Sequence, residues 1–288
     1  MVRKRSVRKL RFLMKSRIWF LLPSLAGVAV FVLIPFLDMV KRSFQTAVQR
    51  EFCGLKNYQT IFSNQAFILA VKNTVHFVGI GIPALILLSL LLSVEVSRCK
   101  QEQQLKSLFL FPMAVPTATL VFIWKLLFYK NGILNMGLKE IGCQTVDWLG
   151  SNAAFWVLII SYLWKNTGYT MVLWLAGIKN VSESLMEAAK VDGASGRQCF
   201  LYVILPELKP VFYTITILSF LNSFKVFREA YLVAGAYPQQ KMYLLQHLFN
   251  NWFTNLEIDK MSAAAVCISL VLAVASVLLG KIWNNADE

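Results

Sequence analysis

Six long apolar stretches run through this chain of 288 residues, and they restrict its possible folds more than any other feature. Each stretch has few charges and is about 20 residues long, which is the length a helix needs to cross a membrane. A transmembrane β-barrel would show shorter segments of alternating polarity, and these stretches do not alternate. The stretches cover residues 18–39, 71–94, 105–128, 153–175, 211–233 and 261–280. We therefore predict an all-α membrane protein with six transmembrane helices.

The charge distribution predicts the orientation of these helices. The formal net charge is +14, from 29 Lys and Arg against 15 Asp and Glu, and a balance of this kind also occurs in nucleic-acid-binding proteins. Here, however, much of the charge lies in residues 1–17, which contain no acid. The basic residues of this segment are Arg3, Lys4, Arg5, Arg8, Lys9, Arg11, Lys15 and Arg17. The positive-inside rule then predicts a basic cytoplasmic tail and no nucleic-acid partner.

A cleavable signal peptide is the alternative interpretation of the first stretch. A small-residue site resembling a cleavage site is present at Ser24-Leu25-Ala26. The apolar run continues past this site to Leu37, which favours an uncleaved anchor.

The chain has no recognisable catalytic or metal-binding motif. It lacks G-x-x-x-x-G-K-[ST], G-x-S-x-G and H-E-x-x-H, and its only histidines are His76 and His247. The five cysteines have no C-x-x-C spacing. Cys53 and Cys143 fall in predicted external loops and could pair, although unpaired thiols are the simpler interpretation. We expect no enzymatic activity, cofactor or metal, and an energy source that a partner supplies.

Two predicted spans carry polar side chains at mid-membrane depth, where such groups are costly and mark pathways or binding sites. In the fifth span, one helix face carries Ser219, Asn222, Lys225 and Glu229. In the fourth span, a similar stripe contains Ser161, Lys165, Gly168 and Tyr169, with Trp164 and Asn166 beside it. We predict that both stripes line one aqueous cavity for a polar solute. The alternative is a set of hydrogen bonds that hold the helices together.

Prolines inside the predicted spans favour kinked helices, because proline removes a backbone donor. These are Pro23, Pro35, Pro83, Pro112 and Pro116.

The segment between the fourth and fifth spans, residues 177–209, is long for a simple connection. Ser184 and Glu187 have the spacing of a capping box, and Gly193 is suited to end a helix. A second short helix would close near Pro206. Two short helices that meet at a glycine on the cytoplasmic face are expected to form a docking element.

This segment resembles the signature of the permease subunits of binding-protein-dependent ABC importers. That signature is E-A-A, three residues, Gly, nine residues, and I-x-L-P. The chain has Glu187-Ala188-Ala189, then Gly193, then Val203-Ile204-Leu205-Pro206 at these spacings, with valine as the one departure. Residues 54–58, 73–74, 132–135, 175–177 and 223–227 further resemble the carbohydrate-uptake branch, in particular its maltose-permease-like first subunit.

The resemblance implies a fold, partners and residue roles. Residues 18–288 would form an ABC importer transmembrane domain in the plasma membrane of a bacterial cell, with segment 177–209 as a cytoplasmic coupling loop. Its partners would be a second permease subunit in a heterodimer, two cytoplasmic ATPase subunits, an extracytoplasmic solute-binding protein, membrane lipid and a sugar. ATPase coupling is implied for Glu187, Ala188, Ala189, Asp192, Gly193, Leu205 and Pro206. A substrate pathway is implied for Trp164, Asn166, Tyr169, Ser219, Asn222 and Lys225.

Three other interpretations remain open. A permease of the same superfamily could move another polar solute, such as a sugar phosphate or a polyol. A secondary transporter or channel would work alone, but it should show inverted repeats or a charged relay, and the docking segment would be unexplained. A membrane scaffold without a transport role would leave the two polar stripes without a purpose.

Overall fold

The computed structural model describes residues 21–284, and the regular elements within this range are all helical apart from a single bridge between Gln45 and Phe52. The predicted basic tail and the first three residues of the first predicted span lie outside the described residues. The helices are α1 (Leu21–Ser43), α2 (Lys56–Phe62), α3 (Gln65–Arg98), α4 (Glu102–Ala114), α5 (Thr117–Phe128), α6 (Ile133–Glu140), α7 (Ala154–Asn180), α8 (Glu183–Val191), α9 (Gly196–Cys199), α10 (Leu205–Glu207), α11 (Lys209–Ser223), α12 (Val226–Ala234), α13 (Leu245–Thr254) and α14 (Ile258–Asn284).

The described residues form two compact units. Residues 21–64 and 252–275 make the first, and residues 65–251 with 276–284 make the second. In the first unit, the buried side chain of Asn57 donates hydrogen bonds to the backbone oxygens of Ser43 (3.0 Å) and Gln45 (2.8 Å). Tyr58 adds a hydroxyl contact of 2.7 Å to Ser43. The end of α1 is therefore fastened to α2 by polar side chains.

Helix α7 is the centre of the second unit. It packs against α3, α4, α11 and α12, and about half of its residues are buried. The main apolar cluster joins Phe77 and Leu85 of α3 to Phe155, Leu158 and Tyr162 of α7. The hydroxyl of Tyr162 donates to the backbone oxygen of Ser219 at 2.8 Å. Apolar packing and this buried hydrogen bond hold α11 beside α7.

Four helical segments are long and apolar enough to cross a membrane, and a bent pair gives a fifth candidate. The four are Leu21–Ser43, Gln65–Arg98, Lys209–Ala234 and Ile258–Leu278. Helix α7 matches the fourth predicted span in position and has 27 residues, but it is not among these candidates. Its polar stripe and its Trp and Tyr residues lower the mean hydropathy. Because neighbouring helices cover α7, it does not require the uniformly apolar surface of a lipid-facing helix.

The third predicted span, 105–128, is not one straight helix. Helices α4 and α5 are separated at Val115 and Pro116, and the segments Glu102–Ala114 and Thr117–Glu140 bend by 92°. Val115 has the extended backbone (φ −71°, ψ 126°) that a following proline favours. Pro83, in contrast, lies inside α3, which continues from Gln65 to Arg98. In α1, Pro35 lies two residues after a π-helical turn at Ala29–Leu33, a form that tolerates irregular backbone bonding.

Candidate functional site

The two polar stripes meet through an ion pair. Lys165 of α7 donates from Nζ to Oε1 of Glu229 in α12. The Glu229 side chain is 5% exposed and that of Lys165 is 25% exposed. A charge this deep in a bundle is costly unless a partner compensates it, and each residue here supplies the other's partner. The ion pair accounts for one charged residue from each of the two predicted stripes.

Two cavities lie beside this ion pair. A small one of about 70 Å³ is lined by residues of both stripes, among them Ser161, Asn166, Asn222 and Lys225. The Asn166 side chain donates to the Tyr162 backbone oxygen at 2.8 Å, so its amide is oriented by the helix that carries it. Lys225 donates from Nζ to Oδ1 of Asn222 at 2.8 Å. The structure thus brings Asn166, Asn222 and Lys225 to the same small cavity.

The larger cavity has a volume of about 420 Å³ and lies around the break between α11 and α12. Its walls include Lys165, Lys225, Arg228 and Glu229, together with two phenylalanine rings. A space of this size that combines charged groups with flat apolar surfaces suits a polar solute with apolar faces.

Three of the predicted pathway residues line neither cavity. The Trp164 ring packs edge-on against Trp124, with 5.6 Å between ring centroids. The backbone oxygen of Ser219 accepts from Tyr162, while its side chain is buried. Tyr169 is half-buried, one helical turn beyond Lys165. Helical spacing assigned these residues to a face, but the neighbours that cover that face depend on tertiary packing.

Sequence reasoning omitted Arg228 and Thr117 from the site, and both line the larger cavity. Arg228 directly precedes Glu229, so it lay outside the spacing of three and four that defined the stripe. A count of charged residues within the apolar stretch would have found it, because any arginine at such a depth requires water or a partner.

The segment between α7 and α11 has the predicted shape of two short helices at a glycine corner. Helix α8 ends at Val191, and Gly193 has a φ of +77°. The backbone N–H of Ala194 donates to the oxygen of Ala189 at 2.9 Å, and that of Gly193 donates to Lys190 at 3.1 Å. These bonds close the helix end in the manner of a glycine C-cap.

The predicted capping box at Ser184 is wrong. Helix α8 begins at Glu183, so Ser184 lies inside its first turn, and the N-cap residue, Ser182, makes no side-chain capping bond. The capping box lies instead at the start of α9. Ser195 Oγ accepts from the N–H of Gln198, and the Gln198 side chain accepts from the N–H of Ser195 at 2.8 Å. Ser195 and Gln198 satisfy the S-x-x-Q form of the same rule.

Most of the docking segment is exposed. Glu187, Ala188, Asp192, Gly193, Leu205 and Pro206 are all exposed, and Ala189 is partly buried. Apolar side chains are exposed nearby, including Val191 (87%) and Tyr202 (76%). An exposed apolar surface of this kind marks an interaction site in a folded protein. The thiol of Cys199 contacts Met186 Sδ at 3.5 Å and joins the two short helices.

A carboxylate anchors the helix that leads into this segment. Glu102, at the start of α4, pairs with Lys179 at 2.8 Å and with Lys106 of its own helix. Lys179 lies in the last turn of α7, directly before the docking segment. The exit of α7 is thereby held to α4 by charge as well as by packing.

Three of the other short stretches that suggested the family have structural roles in this molecule. Asn73 donates to the backbone oxygens of Gln240 (2.6 Å) and Tyr243 (3.0 Å). Asn135 donates to the oxygen of Val146 (2.9 Å) and accepts from its N–H (3.0 Å). A Cβ on Gly177 would lie 2.8 Å from Leu208 and Val211 side chains, so this glycine permits a close helix crossing. Asn73, Asn135 and Gly177 therefore fasten loops and helices, whereas the stretch 223–227 lines the larger cavity through Phe224, Lys225 and Phe227.

The described residues contain no group of three or more His, Cys, Asp or Glu side chains that could hold a metal ion. Cys53, Cys99, Cys143, Cys199 and Cys267, all within the described residues, are free thiols in the structure.

Known proteins identify the family. A family model described as binding-protein-dependent transport system inner membrane component matches residues 5–285. The chain is 31% identical over 263 residues to the trehalose/maltose transport system permease protein MalF of Thermococcus litoralis, and the match covers 88% of each chain. It is 30% identical over 277 residues to the probable starch degradation products transport system permease protein AmyD of Thermoanaerobacterium thermosulfurigenes, which covers 92% of this chain and 93% of AmyD. These relatives are transport permeases and not enzymes.

A solved structure supports the same fold. The chain resembles a chain of a bacterial ABC transporter involved in the import of the acidic polysaccharide alginate, with a TM-score of 0.84 and 18% sequence identity. The match covers 98% of this chain and 100% of that one. At this identity the likeness shows the fold alone, and the family match over nearly the whole chain confirms the resemblance noted in the docking segment. The chain therefore belongs to the family of inner membrane components of binding-protein-dependent ABC import systems.

Proposed function

We propose that this chain is the permease subunit of an ATP-driven sugar importer, in which it forms half of the pathway and couples to a cytoplasmic ATPase through the segment around Glu187. The observation that carries the proposal is the two-helix corner at Gly193, which has the E-A-A spacing and leaves Glu187, Ala188 and Asp192 exposed. Sugar as the substrate is supported by the MalF and AmyD relatives, whose names specify trehalose, maltose and starch degradation products.

The proposed topology has six spans, with residues 1–17 as a cytoplasmic tail and residues 18–288 as the transmembrane domain. The spans are α1, α3, the broken pair α4 and α5, α7, the pair α11 and α12, and α14. The positive charge of the tail supports a cytoplasmic N-terminus in a bacterial plasma membrane. With α7 counted as a span, the segment around Glu187 lies on the same side as the tail, where ATP is available.

In the proposed coupling mechanism, α8 enters a cleft of an ATPase subunit. The Glu187 and Asp192 carboxylates are exposed and can meet basic groups, while Ala188 and Ala189 leave room for close approach. Gly193 sets the corner, and Leu205 and Pro206 begin the short helix α10, which leads into α11. Closure of a pair of ATPases would push this corner, together with that of a second permease subunit, and reorient the helices that follow it.

In the proposed pathway, the solute passes the cavities beside the Lys165–Glu229 ion pair. Asn166, Asn222 and Lys225 supply hydrogen-bonding groups at the smaller cavity. Trp164, Tyr169 and Ser219 lie on the same two helices without lining either cavity, and the contribution proposed for them is to position the residues that do. An external solute-binding protein would deliver the sugar, as the family description indicates.

The coupling role is tested at Gly193. A valine with φ near +77° is strained by about 1–2 kcal/mol, because the left-handed region crowds its Cβ. We expect Gly193→Val to leave the subunit inserted and assembled but to reduce ATP-dependent sugar uptake in vesicles by about tenfold, the equivalent of that strain. Gly193→Asn should retain most of the uptake, because asparagine tolerates this conformation.

Gly196 is the matched control. It lies three residues further on, its φ is outside the left-handed region, and no heavy atom lies within 4 Å of an added Cβ. Gly196→Ala should therefore transport normally. Normal uptake by Gly193→Val, or an equal loss in Gly196→Ala, would contradict a coupling role for the corner.

A further inference from the structure

The larger cavity contains an excess of positive charge. Four of its lining residues are charged, namely Lys165, Lys225, Arg228 and Glu229. The single carboxylate is paired with Lys165. Two cations therefore remain beside the cavity after this pair is counted.

Neither remaining cation has an anionic partner in the described part of the chain. Lys225 donates to the neutral amide oxygen of Asn222 at 2.8 Å, which supplies a hydrogen bond but no opposite charge. Arg228 forms no ion pair with any described carboxylate. Both side chains are exposed, in a segment whose composition otherwise suits the membrane interior.

The depth of these cations makes their lack of partners informative. Lys209–Ala234 is a candidate span of 26 residues, about 39 Å long at 1.5 Å per residue. On this scale Lys225 lies about 5 Å and Arg228 about 10 Å from the middle of the segment, inside the roughly 15 Å half-thickness of a hydrocarbon core. Charged side chains at such a depth face water, a counter-charge or a passing ion.

The backbone at this point adds to the positive potential. The span is interrupted between Ser223 and Val226, so α12 begins beside the cavity. The N-terminal end of a helix carries a partial positive charge, and interrupted spans in transporters direct such ends at anionic groups of the solute. The two cations and the start of α12 therefore all favour an anion at the same place.

We infer that the solute preferred by this cavity is an anionic sugar, one that carries a carboxylate or phosphate group. Its acidic group would contact Lys225 and Arg228, while Phe224 and Phe227 would pack against apolar faces of the sugar ring. The Lys165–Glu229 pair would orient the site without cancelling its charge. This specificity presupposes the sugar-import function proposed above and narrows its substrate class.

The test uses the complete importer, purified with its partner subunits and reconstituted in proteoliposomes. A galacturonate trisaccharide is compared with its carboxyl-reduced, neutral counterpart, and glucose 6-phosphate distinguishes phosphate from carboxylate recognition. We expect the importer, without its binding protein, to bind at least one anionic probe about tenfold more tightly than the neutral sugar at low ionic strength. The difference should shrink as salt is added.

The variant Lys225→Gln/Arg228→Gln should lose about tenfold more affinity for the anionic probe than for the neutral one, so that the preference for the anionic probe disappears. The control Lys130→Gln/Lys139→Gln removes the same charge from two exposed lysines outside the cavity and should leave the preference unchanged.

Three outcomes would overturn the inference. Equal or tighter binding of the neutral sugar would contradict the preference for an anionic sugar. If the reconstituted importer with its binding protein also took up that neutral sugar, the sugar-import function would stand. If the importer transported neither the anionic nor the neutral sugars, the proposed sugar-import function would be contradicted as well. Failure of the Lys225→Gln/Arg228→Gln subunit to assemble with its partner permease would show that the two cations pair with acids of that subunit.

Discussion

The ion pair between Lys165 and Glu229 allows the energetics of the candidate site to be tested directly. Lys165→Met would leave a carboxylate that is only 5% exposed and whose Oε2 has no hydrogen-bond partner among the described residues. Glu229→Gln would leave a lysine that is 25% exposed. Each single change therefore leaves one charge without its partner, and the carboxylate of Glu229 is less accessible to water than the ammonium group of Lys165.

The expected magnitudes follow from this difference. Removing one member of a buried ion pair costs about 3–5 kcal/mol, because the other charge loses its compensation. Lys165→Met should fall in this range, whereas Glu229→Gln should cost about 2–3 kcal/mol, since water in the cavity can hydrate the lysine. The double change Lys165→Met/Glu229→Gln strands no charge and should cost about 1 kcal/mol or less. The coupling energy between the two residues should then be about 4 kcal/mol or more.

Thermal unfolding of the purified importer in detergent is a suitable assay. At about 2–4 °C per kcal/mol, Lys165→Met should lower the unfolding midpoint by roughly 10 °C, and the double variant should recover most of that loss. Glu95→Gln is the matched control, because Glu95 and Arg98 form a 3.6 Å ion pair whose side chains are 73% and 62% exposed. An exposed pair contributes at most about 1 kcal/mol. If both single variants and the double variant were equally stable, the ion pair would have no part in holding α7 to α12.

Two further predictions concern the second unit. Gly168→Ala should prevent correct assembly, because the new Cβ would lie 1.8 Å from the backbone oxygen of Phe109. Gly79→Ala, whose Cβ would have no heavy atom within 4 Å, should fold normally. Equal yields of monodisperse importer from the two variants would contradict the close helix contact at Gly168. Burial lowers the pKa of His247 from 6.5 to about 4, so the folded state favours the neutral imidazole. Because the unfolded state binds the proton first, the free energy of unfolding should fall as the pH drops from 6.5 through 4. The loss should reach about 3 kcal/mol, and His247→Asn should remove this part of the pH dependence; an unchanged pH profile of the unfolding midpoint in that variant would contradict it.

The docking segment was predictable because its geometry depends on short-range rules. A helix stop at Gly193 follows from the local need for positive φ, and Glu187 lies only six residues before it. The capping box was assigned to Ser184 and is found at Ser195 because both positions fit the same local pattern. A serine can form the capping box only if its helix begins directly after it, and the local pattern does not fix where a helix begins to within one or two residues.

The cavity was only partly predictable, for the same reason. The spacing of polar residues identified the right faces of α7 and α11, and the structure brings Asn166 and Asn222 to one cavity. Which side chains would line the cavity depended on contacts between distant segments, such as the hydrogen bond from Tyr162 to the backbone oxygen of Ser219. The length of the third apolar stretch predicted one continuous helix. In the structure this stretch is broken before Pro116 into two helical segments that bend by 92°.

The position of Glu229 in the sequence has a consequence for biogenesis. In the proposed six-span topology, Lys165 enters the membrane with α7, but its counter-charge is synthesised 64 residues later. At about 5–20 residues per second, roughly 3–13 s pass before Glu229 leaves the ribosome. During this interval α7, which is too polar to be a candidate span by composition, must be retained beside α3 or α4 or shielded by the insertion machinery. Truncated chains that end before Glu229 should therefore be the natural substrates of membrane quality control.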